Sequence, residues 1–184
     1  GSYEEKFKNL MAGYAFMTGH PGKKLLFMGQ DFGQHREWSE ERELDWFLLE
    51  KEPNHQLQLF VKELLHLYKS NKCLYEYDCW PEGFEWINAD DGDRSIFSFV
   101  RHSASGKNNM LFVINFTPVA RDDYRVGVPK NKTYHLVLNS EDPAFNGTDT
   151  DRKKSYKAVK SPCDGREYSF AYPLPAYGVA VFKY

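Results

Sequence analysis

The side chains best suited to chemistry are gathered in residues 29–52, a stretch with no sustained hydrophobic period. It carries the polar residues Gln30 and Asp31 and the indoles of Trp38 and Trp46. Large aromatic rings form flat platforms for ligands with apolar faces, sugars among them. A long polar loop directly after a buried strand is also where α/β proteins place their ligand sites. The pattern therefore predicts a ligand-binding loop, although aromatic content alone does not separate a ligand platform from core packing.

Several other kinds of active site have no support in the sequence. There is no GxSxG nucleophile elbow and no GxxxxGK[ST] phosphate loop, and the six histidines show no metal-ligand spacing. The acidic run at 88–93 lacks the glutamate that an EF-hand requires, and a hairpin turn explains it better. We therefore expect no cofactor and no metal site.

Composition limits the class of protein and its partners. The 184 residues are 41% hydrophobic and 27% charged, which is typical of a globular protein, and the longest apolar runs are far shorter than a membrane helix. A formal net charge of -2 provides no basic surface for a phosphate backbone. Cys73, Cys79 and Cys163 cannot all pair within one chain and form no CxxC motif. We expect no membrane or nucleic-acid partner, and a reducing, cytoplasmic location.

Three elements must position the candidate loop. Apolar residues recur at alternating spacings of three and four over 3–18, which predicts an amphipathic helix. The apolar run at 24–28 predicts a short strand, buried on both faces, that ends at Gly29. A second helix is predicted to begin at Pro53 and to fade near Asn71. Helix, tight loop and buried strand in this order are one unit of an α/β protein.

After residue 83 the hydrophobic period changes from near 3.6 to 2, which indicates strands. The turn residues between the short apolar segments are typical of an antiparallel β-sandwich. The boundary between the helical part and the sandwich is predicted between Tyr75 and Gly83. The predicted strands are 84–87, 95–101, 110–116, 123–128, 133–139, 156–159, 167–171 and 178–184.

The first two residues, Gly1 and Ser2, are interpreted as an expression scar and are set aside from the fold. A helical pattern follows at once, without an initiator methionine or a signal sequence. We therefore expect the chain to be a piece of a longer protein.

The loop and the segments around it carry a specific resemblance. Residues 21–34 (PGKKLLFMGQDFGQ), followed by Arg36-Glu37-Trp38 and Leu44-Asp45-Trp46, closely resemble the last barrel strand and loop of 1,4-α-glucan branching enzymes, which belong to the α-amylase superfamily. The resemblance continues through most of the chain, in the same order. It includes Tyr77, 83–86 (GFEW), 95–101 (SIFSFVR), 115–119 (NFTPV), 123–127 (DYRVG), 138–140 (LNS) and 174–175 (LP).

The resemblance implies an α+β fragment, in which the last βα portion of a (β/α)8 barrel is followed by an all-β antiparallel sandwich. Residues 3–78 would be the barrel remnant and residues 79–184 the C-terminal β-sandwich domain. Enzymes of this family cut α-1,4 links in glycogen-type glucans and rejoin the fragment as an α-1,6 branch, through a covalent intermediate that needs two carboxyl groups. In this family the catalytic carboxylates follow barrel strands four, five and seven. They would therefore precede Gly1, and the chain alone is expected to be inactive, with no catalytic residue of its own.

The resemblance also implies which residues meet the substrate. Gln30 and Asp31 follow the predicted strand and would face the glucan cleft, although Asp31 could instead brace the loop. Trp38 and Trp46 are candidates for stacking on glucose rings, and for Trp46 a place in the core is the alternative. Trp86, in the sandwich, is a candidate platform for a long glucan, against the alternative of core packing.

The expected partners are an α-glucan, such as glycogen or amylose, and the rest of the catalytic barrel. Because a barrel segment without its neighbours leaves apolar surface uncovered, we also expect self-association through residues 3–30. Three alternatives remain open. The parent could be an amylase-type α-glucan hydrolase, or the sandwich could be a stand-alone carbohydrate-binding module or a purely structural brace.

Overall fold

The computed structural model describes residues 1–150 and 152–184. Within these residues two α-helices precede nine β-strands, and short 3-10 turns lie in the connections. The elements are α1 (Tyr3–Gly19), α2 (Glu52–Ser70), β1 (Phe84–Asn88), β2 (Ile96–Arg101), β3 (Met110–Asn115), β4 (Arg121–Val128), β5 (Thr133–Asn139), β6 (Ser155–Lys157), β7 (Val159–Cys163), β8 (Arg166–Leu174) and β9 (Val179–Lys183). Among the described residues, no helix is long and apolar enough to cross a membrane.

The strands form an antiparallel sandwich, as the change of period predicts. One sheet has six strands in the order β1-β2-β3-β9-β5-β6, and the other has three in the order β4-β8-β7. Every strand pair recorded in either sheet is antiparallel. One hydrophobic core fills the space between the sheets, and a second core lies between the outer face of the six-stranded sheet and the two helices.

The central strand β3 shows why the sequence produces three layers. All six of its residues are buried. Met110, Phe112 and Ile114 belong to the core under the helices, whereas Leu111 and Val113 belong to the core between the sheets. Successive side chains of a strand point to opposite faces, so a strand covered on both sides must be apolar at every position.

The start of α1 is fixed by a capping box. The Ser2 hydroxyl accepts a hydrogen bond from the backbone N–H of Glu5 (3.1 Å), and the Glu5 carboxylate accepts one from the N–H of Ser2 (2.6 Å). This reciprocal arrangement satisfies two backbone donors that a helix start leaves without partners. Ser2, which the sequence analysis sets aside, therefore takes part in the fold.

The predicted strand at 24–28 is wrong for the chain as the structure describes it. These residues have no regular secondary structure. The Leu25 side chain is 76% exposed, and the side chains of Phe27 and Met28 are about half exposed, although Leu26 packs against the core under the helices. A strand buried on both faces needs hydrogen-bonded neighbours and covering layers, and none of the described strands pairs with this segment.

The predicted strand at 156–159 proves to be two strands in different sheets. β6 pairs with β5 in the six-stranded sheet, whereas β7 pairs with β8 in the three-stranded sheet. The chain changes sheets at Ala158, whose backbone N–H donates to Lys132 O (2.9 Å). β7 is not predicted from the sequence pattern because Pro162 interrupts it, and an edge strand tolerates a proline where a central strand does not.

A buried arginine joins the helices to the sandwich. The Arg101 side chain, at the end of β2, is fully buried, and its guanidinium donates three hydrogen bonds. The acceptors are Gly83 O (3.1 Å), Gly19 O at the end of α1 (2.8 Å) and the carboxylate of Asp78 (2.6 Å). Tyr68 of α2 also donates to Asp78 (3.4 Å). One charged group therefore fixes α1, the connection to β1 and the sheet relative to one another.

We predict that Arg101→Met destabilises the fold by about 3–5 kcal/mol, because it leaves the Asp78 carboxylate and two buried carbonyls without their donor. The free energy of unfolding in urea measures the effect. Arg125, which is exposed and donates one hydrogen bond to Ser169, provides a matched control, and its Met variant should change stability by about 0.5 kcal/mol. Equal effects of the two substitutions would contradict this account.

Candidate functional site

The loop between the helices is shaped by two glycines and one glutamine. Gly29 and Gly33 both adopt the left-handed conformation, with φ of 86° and 66°, on either side of a 3-10 turn at Gln30–Phe32. Glycine enters this region without a steric penalty. The Gln34 side chain then bridges the loop, since its amide donates to Arg36 O (3.0 Å) and its Oε1 accepts from the N–H of Asp45 (2.8 Å). The two halves of the loop are thereby held together.

Below the loop lies a buried polar network that connects it to both helices. The Asn54 side chain of α2 is fully buried, and its amide donates to Phe32 O (2.7 Å). Its Oδ1 accepts from the Tyr3 hydroxyl of α1 (3.3 Å), which also lies 2.9 Å from His35 Nε2. The sequence pattern does not point to Asn54. The sequence does carry one signal for Asn54: its amide side chain lies on the inward face of α2, among apolar residues such as Leu57 and Val61.

Gln30 and Asp31 lie together at the start of the loop. The Gln30 side chain is exposed and accepts a hydrogen bond from the N–H of Phe27 (2.8 Å), and its backbone carbonyl accepts from the Tyr14 hydroxyl (2.7 Å). The Asp31 carboxylate is half-buried and accepts from the amide of Gln58 in α2 (3.2 Å). Burial, with the negative charge of Asp31 as a smaller cause, raises the pKa of Tyr14. Asp31 thus braces the loop against α2 while lining an open groove.

That groove is the largest of the described surface cavities, with a volume of about 520 Å³. It runs between the 24–28 segment and the outer face of α2, and most of its wall is apolar. Asp31, Gln58, Lys62 and His66 supply its polar groups. The remaining lining residues are Leu26, Phe27, Met28, Gly29, Leu44, Val61 and Leu65. A wall of this composition can hold a ligand with both apolar and hydroxyl-bearing faces.

The two loop tryptophans both present ring surface to solvent. Trp38 is 39% exposed and meets Phe27 edge to face, with ring centroids 5.4 Å apart. Trp46 is 51% exposed and lies over the buried Phe32 at 5.3 Å. Each indole is therefore supported on one side by another ring.

An ion pair orders the outer part of the loop. The Arg36 guanidinium donates two hydrogen bonds to the Asp45 carboxylate, one of them from Nε at 2.8 Å. The Asp45 side chain is nearly inaccessible, at 6% exposure, whereas more than half of the Arg36 side chain is exposed. The Arg36 hydrogen bond holds the pKa of Asp45 below its usual range. Asp45 therefore orients the loop directly before Trp46.

Trp86 lies apart from the loop, on β1. It is 38% exposed, and its recorded ring neighbours come from the end of α1 and from β1 and β2. They are Phe16, His20, Phe84, Phe97 and Phe99. The structure thus brings Gln30, Asp31, Trp38 and Trp46 into one loop and places Trp86 on a separate surface. Within residues 1–150 and 152–184, no cluster of three or more His, Cys, Asp or Glu side chains could hold a metal ion.

The sandwich identifies the family. A family model described as the alpha amylase C-terminal all-beta domain matches residues 86–184. The chain belongs to this family. The match begins in β1 and ends at the last residue, so it includes both sheets but neither helix.

The relatives of this alpha-amylase domain extend the similarity to the helices and the loop. The chain is 51% identical over 180 residues to the 1,4-alpha-glucan branching enzyme GlgB of Butyrivibrio fibrisolvens, which covers 98% of this chain and 28% of that enzyme. It is 44% identical over 184 residues to GlgB of Aquifex aeolicus, covering 100% of this chain and 29% of the relative. The resemblance to branching enzymes is confirmed. The chain spans less than a third of the length of these relatives.

The chain also has a weaker structural likeness to a solved structure. A mutant isomaltulose synthase from Erwinia rhapontici NX5, in complex with sucrose, gives a TM-score of 0.42 at 13% identity, over 69% of this chain and 17% of that one. A likeness at this level supports no functional comparison.

We predict that Arg36→Met raises the pKa of Asp45 towards the ordinary value of about 3.9, because it removes the main hydrogen-bond donor to the carboxylate. A carbon-detected NMR titration of the Asp45 carboxyl measures the change. Because the folded-state pKa is the lower one, the contribution of the pair to stability is present above about pH 4 and is lost as the pH falls through the folded pKa.

Arg42 supplies the control for this titration. Its charge also lowers the pKa of Asp45, but as a smaller cause than Arg36, and its guanidinium donates instead to Glu37 O (2.7 Å). Arg42→Met should therefore move the titration less. A shift as large as that of Arg36→Met would show that net charge, not the Arg36 hydrogen bond, sets the pKa.

Proposed function

We propose that this chain is the C-terminal part of a 1,4-α-glucan branching enzyme, which transfers a cut α-1,4-glucan segment to a 6-hydroxyl in glycogen. The observation that carries the proposal is a sequence identity of 44–51% over almost the whole chain, including the loop and both helices that the alpha-amylase domain model does not cover. We include a cytoplasmic location in the proposal, on the basis of three cysteines that cannot all form disulfides within the chain.

Residues 3–78 act in this proposal as the end of a (β/α)8 barrel, and residues 79–184 as the C-terminal sandwich. The apolar surface around the 24–28 segment supports this division. Leu25, Phe27 and Met28 are exposed beside the groove, and Leu65 of α2 adds to the exposed apolar surface on its other side. A large exposed apolar patch usually marks an interaction surface. The preceding part of a barrel would cover this patch and supply the strand neighbours that residues 24–28 lack.

The loop is the part of this chain that meets the glucan. Asp31 provides a carboxylate in the groove and Gln30 an amide next to it in the chain, and Trp38 and Trp46 provide supported indole faces in the same loop. Hydroxyl groups of a sugar pair with the former, and its apolar ring faces pack on the latter. The two carboxylates that perform the chemistry would come from the preceding barrel, so the role of this chain is to bind and orient substrate.

We predict that the isolated chain does not branch amylose. A chimera in which this chain replaces the matching segment of the Butyrivibrio fibrisolvens enzyme should branch it. In the chimera, Gln30→Ala, Asp31→Ala and Trp38→Ala should raise KM for amylose roughly threefold to tenfold and change kcat less, as expected for lost substrate binding. Iodine staining and chain-length analysis after debranching measure the products.

Trp80 is the control residue for the chimera, because it is 63% exposed and lies outside the loop. Trp80→Ala should leave KM unchanged. A folded chimera that only shortens amylose, without forming α-1,6 links, would instead favour the amylase-type hydrolase. Branching by the isolated chain would overturn the assignment of the catalytic groups to another part of the enzyme.

We also predict that the isolated chain self-associates through residues 3–30, because the 24–28 segment exposes apolar side chains and pairs with none of the described strands. Light scattering should give a molar mass that rises with concentration, and Leu25→Glu with Phe27→Glu should shift it towards the monomer. Val119→Glu, at an exposed apolar residue of the sandwich, should not. A monomer at all concentrations up to the millimolar range would refute the prediction.

A further inference from the structure

We propose a binding site for a sugar phosphomonoester in a cavity where the end of α2 meets the sandwich. The cavity has a volume of about 350 Å³ and lies between the residues after α2, the turn that joins β2 to β3, and the end of β9. Lys72, Lys107 and Lys183 line it, one from each of these segments. We call it the lysine cavity. It shares no residue with the loop at 29–52, and the proposal does not rest on the proposed function.

The strand pattern places Lys183 at the lysine cavity. Val179 and Val181 of β9 belong to the core under the helices, and alternation along the strand puts Lys183 on the same side of the sheet. At this level α2 has ended, so the Lys183 ammonium meets no core and instead donates to Asn71 Oδ1 (3.3 Å). The Asn71 amide in turn donates to Leu67 O (2.8 Å). The charge of Lys183 is therefore held at the cavity wall.

The lysine cavity carries more positive charge than its own groups neutralise. Glu76 is the only acidic residue among the described lining residues, and its carboxylate accepts the N–H of Ala104 (3.0 Å). Within the described chain, none of the three lysines belongs to a salt bridge. The end of α2 adds only about half a negative charge, so a surplus of about one and a half positive charges remains. A phosphomonoester, with about −1.5 to −2 charges at neutral pH, matches this surplus.

Cys73 gives the lysine cavity a neutral inner wall. Its side chain is buried, and burial raises the pKa of the thiol to about 11, although the charges of Arg101 and Lys183 act in the opposite direction. The thiol therefore stays protonated at neutral pH. It adds no negative charge that would compete with a bound anion for the lysines.

Hydrogen bonds fix the turn that carries Lys107. The Asn109 side chain is buried, and its Oδ1 accepts from the N–H of Ser103 (3.1 Å). The Ser103 hydroxyl donates to Lys107 O, which closes the turn. Ser70 and Asn108 also line the lysine cavity and supply a hydroxyl and an amide, groups that pair with the hydroxyls of a sugar. The ordered turn therefore places a cation and polar groups beside one another before any ligand binds.

The volume and the lining together indicate the class of ligand. Lysine ammonium groups bind phosphate as point charges, and the hydroxyl and amide groups suit the rest of a sugar phosphate. Sites for small molecules usually enclose about 300–1,000 Å³, so a cavity of about 350 Å³ has room for a sugar ring beside the phosphate. A free hexose phosphate and a phosphate ester on a glucan chain present the same group, and the experiment separates these two sources.

The test is an NMR titration of the 184-residue chain with glucose 6-phosphate at constant ionic strength. We expect the backbone N–H signals of residues 103–108 to shift and those of residues 30–38 to stay. Lys107→Met and Lys183→Met should each weaken binding about tenfold, which corresponds to about 1.4 kcal/mol. Lys183→Arg keeps the charge and should retain most of the affinity. Lys6→Met should retain all of it, because Lys6 is an exposed lysine near the start of α1, at the other end of the helices.

Further probes decide between the outcomes. Binding of glucose 6-phosphate, or of a maltooligosaccharide that carries a phosphate ester, would support the site and identify the source of the phosphate, even if the branching chimera were inactive. Unmoved signals at 103–108 with both esters up to the millimolar range would overturn the proposal. Equal affinity for inorganic phosphate would overturn the sugar part of it, and an equal loss in Lys6→Met would show unspecific attraction by net charge instead of a site. Thermal unfolding shows whether each variant is folded, and if Lys183→Met is not, Lys107→Met and Lys183→Arg decide.

Discussion

The buried guanidinium of Arg101 is the interaction on which the placement of the helices depends. A full charge without solvent is tolerated only when fixed acceptors surround it, and removing one partner of such a pair costs several kcal/mol. Here the acceptors come from the end of α1, from the residue before β1 and from Asp78 in the connection between them. These groups meet at one point only if α1 ends against β2. The helix cannot slide along the sheet without leaving a charge unpaired.

A fixed α1 explains how one helix serves two separate surfaces. Near its start, Tyr3 reaches the network of Asn54 and His35 below the loop. Near its end, Phe16 and His20 support the ring of Trp86. The loop and the Trp86 ring are therefore supported by the same helix, although they share no side chain. Any shift of α1 would alter the surroundings of both together.

The parts of the fold that depend on local pattern could be predicted from the sequence, and the parts that depend on distant partners could not. Both helices and the sandwich follow from hydrophobic periods of 3.6 and 2, and an apolar run such as β3 predicts cover on both faces. The 24–28 run is also mostly apolar, but an apolar run forms a strand only beside a hydrogen-bonded partner strand, and no described strand pairs with it. The burial of Arg101 could not be predicted either, because an arginine at the end of an alternating strand is normally exposed. The residue types of the loop are enough to predict it as a candidate site. The roles of Asn54 and Gln34 depend on contacts that only the folded structure shows.

The charges around Arg101 also act on Lys24, at the start of the 24–28 segment. Lys24 lies at its start, donates to His20 O and covers the ring of Tyr68. Burial, together with the charge of Arg101, lowers the pKa of Lys24 to about 8, and the Asp78 carboxylate offsets this only in part. The protonated lysine therefore opposes folding below about pH 8, and this penalty disappears as the pH rises towards the unfolded value of about 10.4. The 24–28 segment makes no strand hydrogen bonds, so the sandwich is held together without it. An added neighbouring strand would therefore stabilise residues 24–28 more than any strand of the sandwich.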